Sequence, residues 1–211
     1  GDVRSAYSYG ISGFDGWGCE VSTQLKVRTH QYDCFDTRLP KPCSSGDTEF
    51  HAECVATKSF TESDRIFDSM ERQFAKNGDS RKRLVVKMDV EGAEWDSLLE
   101  ASNETLDQID QLAIEMHYVG NPQHVRVVER LKQRFHVAHL HFNNNSCWHA
   151  IYPFPAWAYE VLFVNKRLAT LSIDTAISFR SPADHAAFTR ELSNAVTSLA
   201  ARYQDESDSQ G

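Results

Sequence analysis

Apolar and polar positions along this chain fall into short β-branched runs separated by stretches of helical spacing. The clearest run is Leu84-Val85-Val86-Lys87-Met88. It reads as a strand buried in a parallel sheet, where both faces are covered and apolar residues need not alternate. It closes on three carboxylates, Asp89, Glu91 and Glu94; Gly92 marks the exit from the strand, and residues 93–101 have helix-forming composition. Residues 3–9 predict a first strand, broken at Gly10-Ile11-Ser12-Gly13. Residues 19–27 predict a helix with Val21 and Leu25 inward. Residues 31–36 predict a second strand ending on Asp36, and residues 39–47 form a loop of Pro, Ser and Gly breakers. A third strand is expected over 49–56, then an amphipathic helix over 63–75 with Ile66, Phe67, Met70 and Phe74 inward. Beyond the central run, strands are predicted over 111–117, 136–142 and 159–165. Helices are predicted over 122–135 (Val125, Val128 and Leu131 inward) and 188–203 (Leu192, Val196 and Leu199 aligned).

Alternation of this kind implies an α/β fold. The expected architecture is a Rossmann-like, seven-stranded, mostly parallel sheet with helices on both faces. The sixth and seventh strands have no helix between them, so the last strand is expected to be an antiparallel insertion. One domain is expected over 1–203, with its core at 3–166 and a helical extension at 174–203. The polar tail 204–211 is expected to be disordered.

Composition narrows the partners. The 211 residues are 41% hydrophobic and 25% charged, within the range of one ordinary globular domain. Net charge is -8, and the longest basic run is Arg81-Lys82-Arg83, so no nucleic-acid partner is expected: neutralising phosphates needs a basic face. No apolar run reaches membrane-spanning length. The chain enters a strand almost at once, so the expectation is that any signal or anchor is removed or was never there. Five cysteines form no CxxC pair, which argues against a zinc knuckle; the odd number leaves at least one thiol unpaired. The sequons Asn103-Glu104-Thr105 and Asn144-Asn145-Ser146 lean toward a secretory compartment without excluding the cytoplasm.

Candidate chemistry collects where strands end. Gly10 and Ser12, Asp36, Asp89 and Glu91, Glu115 and His117, and His141 and Asn143 all sit at predicted carboxyl ends. Open α/β sheets bind ligands there. Turn chemistry explains any one polar ending more easily than five in succession.

On these residues the chain resembles the FkbM-type S-adenosylmethionine-dependent methyltransferases, including related eukaryotic methyltransferase-like proteins. The resemblance rests on Tyr7-Ser8-Tyr9-Gly10-Ile11-Ser12, Tyr32-Asp33-Cys34-Phe35-Asp36, Lys87-Met88-Asp89-Val90-Glu91-Gly92-Ala93-Glu94-Trp95 and Ile114-Glu115-Met116-His117. It implies that Gly10 and Ser12 line the cofactor, Asp36 holds the ribose, and Asp89 faces the methionine end or the reacting centre. It also implies O-methylation of a sugar or other small hydroxylated acceptor, so the expected partner is a small molecule or a glycan.

A hydroxyl nucleophile needs a general base or a metal. His117 is the first candidate base, because imidazole titrates near neutral pH; Glu115 and Glu91 could orient or replace it. Alternatively Asp89, Glu115 and His117 hold a divalent cation such as Mn or Mg, completed by His141 or Asn143. His141, Asn143 and Trp148 are the candidate acceptor-binding residues: Trp148, in an aromatic loop, could stack on a sugar or pack in the core, and His139 and His141 read equally as ordinary strand residues. His30, His51, His136 and His185 carry no assignment. Two other classes stay open, a metal-dependent hydrolase and a non-catalytic binding domain on the same fold.

Overall fold

A computed structural model describes residues 3–147 and 155–169. The strands are β1 (Val3–Tyr9), β2 (Arg28–Tyr32), β3 (Thr48–His51), β4 (Glu53–Val55), β5 (Phe60–Glu62), β6 (Arg65–Asp68), β7 (Arg83–Met88), β8 (Ile109–His117), β9 (Phe135–Phe142) and β10 (Ala158–Asn165). The helices are α1 (Gly16–Leu25), α2 (Met70–Lys76), α3 (Ala93–Glu100), α4 (Asn103–Gln108) and α5 (Val125–Arg134).

Seven strands form one sheet in the order β3-β2-β1-β7-β8-β10-β9. Every neighbouring pair is parallel except those of β10, which runs antiparallel to both β8 and β9. The expected Rossmann-like sheet with its antiparallel insertion is therefore what the chain forms. A three-stranded sheet, β4-β6-β5, sits beside it.

Side chains alternate across each strand, and the two faces differ. On one, Tyr7, Tyr9, Leu84, Val86, Met88, Leu112, Ile114 and Met116 pack against Met70 and Phe74 of α2, Trp95 and Leu98 of α3, and Val127 and Leu131 of α5. On the other, α1 lies over β1 and β2. It approaches closely because its inward residues are Gly18 and Ser22. A Cβ at Gly18 would stand 2.9 Å from the Thr29 methyl.

Several expectations are corrected here. Leu25 is 48% exposed, because α1 begins at Gly16 and its buried face is the Gly18–Ser22 edge. The second strand ends at Tyr32, so Asp36 lies beyond it in a bend. The third expected strand divides into β3 and β4. Residues 65–68 are a strand, and Ile66 is exposed: Ser63 and Asp64 both take positive φ and close a two-residue hairpin between β5 and β6. The helix starts only at Met70, capped by Ser69, with Met70 and Phe74 buried as expected. In α5 the buried pair is Val127 and Leu131, while Val125, at the helix start, is exposed. The expected helix 188–203, the tail 204–211 and Trp148 lie outside the described residues.

A candidate active site at the carboxyl ends of the sheet

The tips of β1 and β7 are drawn together by a backbone contact that only glycine permits. Gly10 has φ +75, and a Cβ there would stand 1.6 Å from the carbonyl oxygen of Asp89. Lys87 Nζ donates to the Gly10 carbonyl at 3.1 Å and lies 3.5 Å from the Asp89 carboxylate. Glu91, three residues past β7, and Tyr118, directly after β8, also take positive φ, 55° each. Such conformations cost of order 1–3 kcal/mol apiece and persist where the surroundings enforce them.

His117 ends β8 and is 2% exposed. Behind it stands Glu94, fully buried at the start of α3. Glu94 Oε1 accepts from the His117 backbone N–H at 2.8 Å and lies 3.0 Å from Nδ1; Oε2 accepts from the Gly92 N–H at 2.7 Å. A carboxylate at Nδ1 keeps the proton on that nitrogen and leaves Nε2 to act. The Trp95 indole donates to the His117 carbonyl at 2.7 Å and fixes the strand end.

Nε2 faces three more carboxylates: Glu91 at 3.5 Å, Asp89 at 3.8 Å and Glu115 at 3.9 Å. Burial works against the charged imidazolium, but the Glu94 hydrogen bond and the charges of Glu94, Glu91 and Glu115 outweigh it, so the His117 pKa lies above its ordinary value. Donor atoms of Asp89, Glu115 and His117 all lie within 4.8 Å of one another. Asn143 donates to Glu115 at 2.6 Å and so positions that carboxylate.

Asp89 lines two cavities. The first, about 490 Å³, lies over the tips of β1, β2 and β4; Gly10, Ser12, Asp33, Glu53, Phe67 and Glu91 are among its walls. The second, about 350 Å³, lies on the sheet face that carries α1, bounded by Trp17, Lys87, Glu115, His139, Glu160 and Leu162. Both volumes fall in the range of small-molecule sites.

The sequence-predicted residues divide accordingly. Gly10, Ser12, Asp89 and Glu91 line the first cavity, and Asp89 and Glu115 the second; His117 stands directly behind these carboxylates. Asp36 is a correction. Its carboxylate is taken by Arg38 at 2.6 and 2.8 Å, which holds its pKa below the usual carboxylate range, and it is not in the cavity wall. The acidic group there is Asp33, with Glu53 beside it. Asp33 Oδ1 accepts from the Phe35 and Asp36 backbone N–H groups, leaving Oδ2 for a ligand. His141 is likewise displaced: it pairs with Glu160 at 3.1 Å on the exposed strand β9, and His139 holds the cavity position instead.

Sequence reading also missed the Cys34–Cys54 disulfide, which ties two residues of the first cavity wall; a second bridge joins Cys19 and Cys43, and Cys147 is free. These two bridges fit an oxidising compartment, in keeping with the sequon lean. Among the described residues no helix is long and apolar enough to cross a membrane. Comparison with protein families, curated proteins and solved structures finds no match to this chain.

Proposed function

We propose that this chain is an S-adenosylmethionine-dependent O-methyltransferase acting on a hydroxyl of a sugar or other small hydroxylated acceptor. The observation that carries the reading is that Asp89, in front of a histidine held by a buried carboxylate, lines two cavities. A transfer enzyme needs two adjoining compartments, one for the donor and one for the acceptor.

The first cavity suits a nucleoside sulfonium. Asp33 and Glu53 are placed to accept hydrogen bonds from ribose hydroxyls, while Val55, Phe67 and Tyr9 offer apolar and aromatic surface to a base. Asp89, which lines both cavities, faces the positive end of the donor. The cofactor supplies an electrophilic methyl group on sulfur.

The acceptor lies in the second cavity, against Trp17, His139 and Glu160. The chemistry the bound cofactor would supply is in-line transfer of that methyl group to the acceptor oxygen, with the neutral thioether as the leaving group. The hydroxyl proton passes to His117 Nε2, and Glu94 holds the Nδ1–H of the imidazolium that forms. Asp89, Glu115 and His117 would also fit a divalent cation such as Mn or Mg, whose contribution would be to polarise the acceptor oxygen.

Calorimetric titration with S-adenosylmethionine and with its demethylated product tests the donor assignment. Asp33→Asn keeps the turn-forming oxygen and removes the charge, and should weaken binding on the order of tenfold, the value of one charge-assisted hydrogen bond. No binding heat with either compound overturns the reading. His117→Ala should lower turnover by about 10²–10⁴-fold with donor affinity nearly unchanged, that unchanged affinity also reporting a folded protein. Equal turnover removes His117 from the role.

A further inference from the structure

A second histidine cluster stands away from the strand tips, on the edge of the sheet. β2 and β3 pair in register, so His30 sits opposite Glu49 and Tyr32 opposite His51. Residues two apart share a face, which brings His30, Glu49 and His51 together. His30 Nδ1 lies 3.0 Å from His51 Nε2 and 3.7 Å from Glu49 Oε2, and donor atoms of all three lie within 4.8 Å.

Two ring nitrogens face to face at this distance cannot both carry a proton, and two opposed lone pairs repel. Either one ring donates its N–H to the other's lone pair, or a metal ion takes both lone pairs. The buried carboxylate of Asp79 bears on the choice. It lies 3.5 Å from His30 Nε2, the nitrogen turned away from the cluster, and accepts from the Tyr7 hydroxyl at 2.9 Å and from Lys82 at 2.8 Å. A carboxylate on the far nitrogen of an imidazole is the usual support of a metal-bound histidine, because it fixes the proton there and frees the other lone pair.

We propose that His30 Nδ1, His51 Nε2 and the Glu49 carboxylate form a binding site for a zinc-class divalent cation. With bonds of about 2.0–2.1 Å, tetrahedral ligands stand about 3.3 Å apart, and the separations of 3.0 and 3.7 Å bracket that edge. Mixed imidazole and carboxylate donors suit zinc, cobalt or nickel better than magnesium or calcium. Three protein ligands leave a fourth position. His30 and Glu49 stand in the wall of a cavity of about 430 Å³, which they share with Asp79 and with Arg4, Arg28, Lys76 and Lys82, so solvent reaches two of the three ligands beside cationic neighbours. Arg28 pairs with Glu49 Oε2 at 3.1 Å and competes with the ion, but Arg28 is half exposed and also held by Asp47, so it can yield that oxygen. The ion would tie the edge strand β3 to β2.

The test uses the full chain, stripped with a chelator, and cobalt(II) or zinc(II) alone as the probe. Cobalt should develop the visible absorption of a tetrahedral imidazole-containing site, and zinc should displace it at one equivalent. His51→Gln alters a partly buried side chain and Glu49→Gln an exposed one, and each should weaken zinc on the order of 100-fold or more. Asp89→Asn, at the strand tips, should leave the cobalt spectrum intact. Unchanged thermal melting of the metal-free variants shows that the fold is kept. No tetrahedral cobalt spectrum in the parent chain, or zinc affinity unaltered in His51→Gln, overturns the proposal. A spectrum lost in Asp89→Asn but kept in His51→Gln also overturns it, assigning the ion to the strand tips.

Discussion

Among the described residues, two histidine–carboxylate clusters are built on one device and differ in what the imidazole faces. At the strand tips, buried Glu94 holds His117 from behind and three carboxylates crowd its front. At the sheet edge, buried Asp79 stands behind His30, whose front meets a second imidazole. The anionic surroundings of the first raise the pKa of His117. For His51 in the second, burial and the neighbouring His30 lower it. One cluster therefore favours a proton and the other a neutral nitrogen donor. The supporting carboxylate orients the ring in both; the groups in front decide its chemistry.

The largest expected effect separates the two supports. Glu94→Ala strands the His117 and Gly92 N–H donors in a buried site, and should cost about 3 kcal/mol of stability, read as a drop of roughly 6–12 °C in Tm. Cofactor binding and turnover should fall with it, while a metal at His30 and His51 should be kept. If Glu94→Ala melts as the parent does, the buried carboxylate is not what orders the tip.

Opening the Cys34–Cys54 bridge with a double serine substitution should cost about 2–3 kcal/mol through the freedom returned to the unfolded chain. Both cysteines line the first cavity, so donor affinity should fall while the Cys19–Cys43 double variant leaves it nearly unchanged. Calorimetry on the two variants distinguishes these outcomes.

The smallest effect is the sharpest comparison, because its sign differs between clusters. His117 has a folded pKa above its unfolded value of 6.5, so its contribution to stability is complete below that value and is lost as pH rises through the folded pKa. His51 has a folded pKa below 6.5, so its contribution is present above that value and is lost as pH falls toward the folded pKa. In metal-free protein, denaturant-derived stability differences for His117→Asn and His51→Gln should therefore slope in opposite directions across pH 5 to 8, by a few tenths to about 1 kcal/mol. Parallel slopes would contradict the assigned surroundings of one cluster.

The alternation of β-branched runs and helical spacings was enough to read the seven-stranded sheet, the antiparallel insertion and the polar ending of each strand, because those are local consequences of which faces must be buried. The same local reading mistook residues 65–68 for helix, since Ile66 and Phe67 fit a helical stripe with Met70 and Phe74 until the positive φ of Ser63 and Asp64 turns them into a hairpin. It also put the ribose acid at Asp36, where the chain pairs that side chain with Arg38 two residues on.

Sequence alone thus determined the class of fold and the convergence of Gly10, Asp89, Glu115 and His117, because strand period and chain direction place them at one end of a parallel sheet. Only the tertiary structure decided that Asp33 and Glu53 face the first cavity, that Glu94 supports His117, and that His30 meets His51. Those relations depend on strand register and on side chains distant in sequence, and no local pattern encodes a register between β2 and β3.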